Sequence, residues 1–159
     1  GDVYKRQGDK GSERARRILA KIAVLCSFIK RRKHLALSNY KDYRIPAEEL
    51  RSAFRESMQT LELLDVSHSF YFAETELLDG SEATALYDFF EDVIEAALDS
   101  LRSVNVRISR IGGRRRIAVT LECEAELSAL ARDYPGAELD NDEGEWTCLL
   151  TLGTGGEGR

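Results

Sequence analysis

The sequence predicts an α+β fold, a two-layer α/β sandwich preceded by a long helix, on three observations. Apolar residues recur at helical spacing over 13–37, 46–64 and 81–101. They alternate with polar residues, at strand spacing, over 66–72, 104–109 and 117–121. Gly112-Gly113 lies between the last two alternating runs and predicts a hairpin turn. Helical and alternating segments in this order place helices on one face of a sheet.

The leading helix is expected from Ser12 or Glu13 to Leu37. Ile18, Ile22, Leu25 and Ile29 form one stripe on it, with Leu19 and Cys26 beside them. Its last turns carry Lys30-Arg31-Arg32-Lys33-His34, cations where the helix dipole favours them. After a polar connection over Ser38 to Arg44, Pro46 reads as the first residue of a second helix, with Glu48 and Glu49 in its first turn. Leu50, Phe54, Ser57, Leu61 and Leu64 mark the inner face of that helix. Val66, His68, Phe70 and Phe72 then point one way along a half-buried strand. Leu77-Leu78-Asp79-Gly80 is expected to turn, and Ser81 to cap a third helix reaching about Leu101, with Leu86, Phe90, Val93, Ala97 and Leu101 inside. Val104, Val106 and Ile108, and then Ile117, Val119 and Leu121, are the inner residues of the hairpin. A short helix over Glu124 to Asp133 and a closing strand over Trp146 to Leu152 complete the order.

The chain has 159 residues with 43% hydrophobic composition, enough for one compact domain. Its formal net charge of −5 hides a split. Residues 1–50 hold 13 Lys/Arg against 6 Asp/Glu, whereas residues 51–159 hold 10 against 22. Four stretches follow: a tag-like, disordered 1–11, a leading helix and connector over 12–44, a domain over 45–152, and a disordered tail over 153–159. The chain opens on Gly1 and its only methionine is Met58, which suggests a piece of a longer protein. No apolar run reaches the roughly 18 residues of a membrane helix. Cys26, Cys123 and Cys148 are widely spaced and make no zinc pattern, so a reducing, cytoplasmic setting is expected.

The third helix carries the most informative pattern. Asp88, Asp92, Glu95 and Asp99 share helical spacing, and Glu91 stands one turn before Glu95. Like charges at that spacing repel by a few tenths of a kcal/mol per pair on an isolated helix. Such a stripe suits a solvated face or one that holds a cation.

The order of elements from Pro46 to Leu152 resembles the ATP-binding domain of the GHKL group, the Bergerat fold shared by DNA gyrase and histidine kinases. The run Glu91-Asp92-Val93-Ile94-Glu95-Ala96-Ala97-Leu98-Asp99 is similar to that group's N-box. Gly144-Glu145-Trp146-Thr147, leading into Leu149-Leu150-Thr151-Leu152, looks like the closing strand of histidine kinases. The helix ending in Ile29-Lys30-Arg31-Arg32 is similar to the one that joins a dimerisation region to the ATPase domain of sensor kinases.

The resemblance implies the C-terminal portion of a bacterial sensor histidine kinase, using ATP and Mg²⁺. Glu91 would then act catalytically near the γ-phosphate and Glu95 would hold the metal, with Asp92, Asp99 and Glu122 as cofactor contacts. A homodimer through the leading helix and a response-regulator partner are implied as well. The family's central Asn is Glu95 here, and its Asp-x-Gly-x-Gly corresponds to Leu121-Glu122-Cys123-Glu124-Ala125-Glu126, with no glycine between Gly113 and Gly136. Without glycine the backbone does not readily take the shapes that cradle phosphates, so the nucleotide site reads as degenerate. The alternative is a non-catalytic dimerisation or interaction module.

Two further readings are weaker. Lys30–Lys33 and Arg114–Arg116 are basic enough to touch nucleic-acid phosphates, but no aromatics interleave with them and the domain is acidic, so no nucleic-acid partner is expected. The first patch reads as a helix end lying near the acidic domain or docked on it, and the second as a solvent-exposed strand start. His34 reads as a helix-end cation and His68 as a satisfied core or rim histidine, which places any phosphoacceptor outside this chain.

Overall fold

The computed structural model describes residues 2–36 and 43–153. Helix α1 (Asp2–Ala36) is followed by β1 (Arg44–Pro46), α2 (Ala47–Thr60) and a 3-10 turn (Leu61–Leu64). Then come β2 (Ser67–Phe72), β3 (Leu77–Asp79), α3 (Gly80–Ala97), β4 (Ser103–Ile111) and β5 (Arg114–Glu122). A one-turn α4 (Leu130–Asp133), β6 (Glu138–Asp142) and β7 (Glu145–Thr151) end the order. The main sheet has the order β2-β4-β5-β7-β6. Its only parallel pair is β2 with β4, joined through α3, and the other pairs are antiparallel. The expected α+β class and leading helix stand.

The core forms where α1, α2, α3 and the sheet converge. Phe54 of α2 stacks on Phe70 of β2 at 5.0 Å between ring centroids and meets Tyr87 and Phe90 of α3 at 5.4 and 5.1 Å. Phe28 of α1 reaches Phe90 at 5.6 Å. The Tyr87 hydroxyl lies against Ser57 Oγ, which itself donates to the Ala53 carbonyl at 2.9 Å, so the polar atoms of this layer are satisfied. Helix α3 is buried on two sides, since Ala83, Tyr87, Glu91 and Ile94 are buried as well as Leu86, Phe90, Val93 and Ala97. One side packs on the sheet and the other lies under α1.

Several boundaries differ from the sequence expectation. Helix α1 starts at Asp2 rather than near Ser12, so residues 2–11, expected to be disordered, are helical. On α1 the residues buried in the domain are Ala20, Val24, Phe28 and Leu35, whereas Ile18, Leu19, Ile22 and Ile29 are exposed. Pro46 is the N-cap of α2, whose first residue is Ala47, one residue later than expected.

Leu77–Asp79 is a short strand, not a turn. It pairs with β1 so that Ile45 and Leu78 bury each other's flank, and Asp79 in place of Ser81 stands at the N-cap of α3. Helix α3 ends at Ala97 instead of Leu101. The helix expected over Glu124 to Asp133 shrinks to α4, because Leu127 drops into the core and breaks the turn. Strand β6 has no apolar alternation to announce it. It is an edge strand whose Glu138, Asp140 and Asp142 face water, and charge on an edge discourages pairing with another chain. The hairpin at Gly112-Gly113 forms as expected, with φ of 59° and 81°. Leu37, the expected end of the leading helix, the connection over 38–42 and the tail over 154–159 lie outside the described residues.

Candidate functional site

Packing α1 across α3 brings Arg32 over the acidic stripe. Its Nη2 donates to Asp92 Oδ1 at 2.9 Å and lies 3.2 Å from Glu91 Oε1, and its Nε lies 3.3 Å from Asp88 Oδ1. Asp92 is engaged from the far side as well. The Tyr134 hydroxyl, carried on the turn after α4, donates to Asp92 Oδ2 at 2.5 Å while its ring packs edge-on against Phe89 at 5.0 Å. One turn beyond the stripe's centre, Lys21 of α1 pairs with the Asp99 carboxylate and Arg17 donates to the Asp99 carbonyl at 3.2 Å. Thus α1, α3 and the turn after α4 are tied at one place.

Glu91 is the anomalous member. It is 1% exposed, and its Oε2 has no hydrogen-bond partner, nor has Arg32 Nε. Burial pushes the Glu91 carboxyl up from 4.5 to about 7; Arg32 pulls it down, and Glu95, Asp88 and Asp92 push it further up. Burial likewise raises Asp88 against the pull of Arg32. For Arg32, burial alone would lower the pKa, but the Asp92 hydrogen bond and the charges of Glu91, Asp92 and Asp88 together raise it. Three carboxylates around one guanidinium leave an excess of negative charge, and proton uptake by Glu91 relieves it.

The expected site residues therefore separate. Glu91 and Asp92 come together under Arg32, Asp99 is held by Lys21, and Glu95 faces solvent. Glu122 stands apart at the end of β5, where its Oε1 accepts from the Ser103 hydroxyl at 2.6 Å. Past it, Cys123 and Leu127 are buried and the Trp146 indole N–H donates to the Ala125 carbonyl at 3.2 Å. Among the described residues, no group of three or more His, Cys, Asp or Glu is arranged to hold a metal ion.

Three solved structures share this architecture. The histidine kinase domain of the blue-light activated kinase EL346 from Erythrobacter litoralis has a TM-score of 0.52 at 16% identity, covering 95% of this chain and 84% of that one. The histidine kinase AdeS of Acinetobacter baumannii has a TM-score of 0.52 at 5% identity, covering 86% and 80%. A bacterial phosphotransferase solved at 1.7 Å has a TM-score of 0.51 at 12% identity, covering 82% and 77%. This chain has the histidine-kinase ATPase-like fold. No family model matches the sequence, and no curated protein does.

Within the histidine-kinase fold, the basic run ending α1 lies on the acidic domain as expected, through Arg32 on the stripe; the partner that sequence reasoning missed is Tyr134. Arg31 also pairs with Glu56 of α2, and His34 approaches Glu49 at 3.5 Å. Nothing local pointed to Tyr134, whose contact spans 42 residues. His68 is half-buried and lies 3.3 Å from Glu62, a rim position as expected. No helix among the described residues is long and apolar enough to cross a membrane.

Proposed function

We propose that this chain is the ATPase-like portion of a bacterial sensor histidine kinase whose nucleotide site is closed by the protein's own side chains, so that it works as a signalling module. The observation that carries this reading is Arg32 among Asp88, Glu91 and Asp92. A guanidinium already occupies the carboxylates that would serve a magnesium nucleotide, and Tyr134 takes the remaining oxygen of Asp92. Glu95 has no ion-pair partner among the described residues and faces solvent. The segment after β5 presents Cys123 and Leu127 where glycines would let phosphates approach the backbone. ATP and Mg²⁺ do not fit this residue set, and phosphoryl transfer is assigned to no residue here.

The test is titration with a fluorescent ATP analogue, with and without Mg²⁺. We expect no saturable binding up to about millimolar nucleotide, the weak end of specific affinity. Metal-dependent binding that disappears in Glu95→Ala would contradict the closed site and restore Glu91 and Glu95 to the catalytic and metal roles.

A homodimer is the mode of action this reading favours. Ile18, Ile22 and Ile29 are each about half exposed, with half-buried Leu25 between them and exposed Leu19 and Cys26 beside them. Ile18, Ile22, Leu25 and Ile29 follow the alternating four- and three-residue spacing of a helix–helix seam; the three isoleucines point to solvent and Leu25, partly packed against the core, borders them. A second copy of α1 would cover them, and a response regulator would be the partner of the parent protein. Ile22→Asp is expected to convert a dimer to a monomer in sedimentation, by burying an unpaired charge at the seam. A native chain that sediments as a monomer would rule this face out. The three cysteines are free thiols, which accords with a reducing, cytoplasmic setting.

A further inference from the structure

The arginine run Arg114–Arg116 opens β5, directly across the hairpin from Arg110, and the register sets Arg110 opposite Arg115. Like charges so placed repel unless something bridges them. Glu74 does so, accepting from Arg110 Nε at 2.7 Å and from Arg115 Nη2 at 2.7 Å. Arg115 is buried and also donates to Glu82 at 3.0 Å, while Arg116 turns to the Thr151 hydroxyl at 2.9 Å and towards Glu138. Beside this knot lies a cleft of about 330 Å³, between the hairpin, the β1–β3 ribbon and the first turn of α3. Arg44, Arg110, Arg114 and Arg115 line it, together with Glu76, Asp79 and Glu82.

Every carboxylate at the cleft is taken. Asp79 meets Arg44 Nε at 3.2 Å, Glu76 meets Arg110 Nη2 at 3.8 Å, Glu82 is held by Arg115, and Glu74 by both Arg110 and Arg115. The donors are not exhausted. Half-buried Arg114 has no ion-pair partner among the described residues, and among the same residues Arg44 pairs with Asp79 alone. Arg110 leaves Nη1 unpaired among the same residues. Guanidinium groups with unused N–H pairs recognise tetrahedral oxyanions by two-point contact. The cleft lies at the N-terminal end of α3, about 27 Å in helix length from the Asp99 end, since 18 residues rise roughly 1.5 Å each.

We propose that this cleft binds a small phosphate-bearing anion, gripped by Arg114 with Arg44 and Arg110 at the rim. Arg115 is the buried support, held in place by Glu74 and Glu82. The site is independent of the acidic stripe and of the closed-site reading.

Calorimetric titration of the full chain with inorganic phosphate and, separately, with pyrophosphate tests it, each at matched ionic strength against sodium chloride. Saturable binding of either is expected, and which binds more tightly tells a monophosphate from a diphosphate ligand. Arg114→Gln should weaken it about tenfold, the worth of one charge-assisted contact, without moving the thermal midpoint of the free protein. Glu76→Gln should tighten it, because it removes a competing carboxylate held only loosely. Heats no larger than the chloride control, or equal affinity in Arg114→Gln, would overturn the proposal.

Discussion

Replacing Arg32 by Ala is expected to destabilise the protein by about 2 kcal/mol at pH 8, and by distinctly less at pH 6. Removing one partner of a buried ion pair usually costs about 3–5 kcal/mol, and the partial exposure of this guanidinium reduces that through solvent screening. The loss is large because a nearly inaccessible Glu91 is left among Asp88, Asp92 and Glu95 without its cation, and at pH 8 it must stay ionised there or take up a proton from dilute solution. The pH dependence follows from linkage. Glu91 moves up from 4.5 to about 7, so the folded protein holds this proton more tightly than the unfolded chain does. Its contribution is complete below about 4.5 and is lost as the pH rises through about 7. The native protein should therefore gain stability from this group between pH 8 and pH 6. Arg32→Ala should steepen that gain and Glu91→Gln should flatten it. Urea unfolding at the two pH values reads all three, and equal losses for Arg32→Ala at both would refute the account of the cluster.

Phe54→Ala is expected to cost about 3–5 kcal/mol, the range for removing a fully buried aromatic side chain. Phe54 is inaccessible and joins α2 to β2 and α3 at once, through Phe70, Tyr87 and Phe90. The void would be bounded by rings carried on three different elements, and such rings collapse poorly into a gap. For a chain of this size that loss corresponds to a fall of roughly 8–16 °C in thermal midpoint. A change of only a degree or two would mean that the α2–α3 layer repacks, and the rigid frame behind the stripe would have to be reconsidered.

The architecture was legible because its signals are local and periodic. Leu50, Phe54, Ser57, Leu61 and Leu64 on one face, and Val104, Val106 and Ile108 on another, are buried as their spacing required. The hairpin announced itself through Gly112-Gly113. What stayed hidden depends on contacts far apart in sequence. Strand β6 is acidic and lies on an edge, so no apolar face marks it. The β1–β3 ribbon is three residues a side and exists because Ile45 and Leu78 meet across it. The acidic stripe and a basic helix end near it were visible, but the particular side chains that meet on it were not. They are Arg32, 60 residues away from Asp92, and Tyr134, 42 residues away on the other side. A periodicity shows which face of a helix is special, and only the packing shows what meets it.

The claim at the centre is that the stripe of α3 is occupied from within, by Arg32 and Tyr134, and is not held open for a metal. Carboxyl-carbon NMR of Glu91, titrated against pH with and without about 10 mM Mg²⁺, well above the millimolar scale of weak binding, addresses this most directly. The account predicts a midpoint near 7 that Mg²⁺ leaves in place and that Arg32→Ala moves higher. A midpoint at the ordinary carboxylate value, or one that Mg²⁺ drives downward, would contradict it.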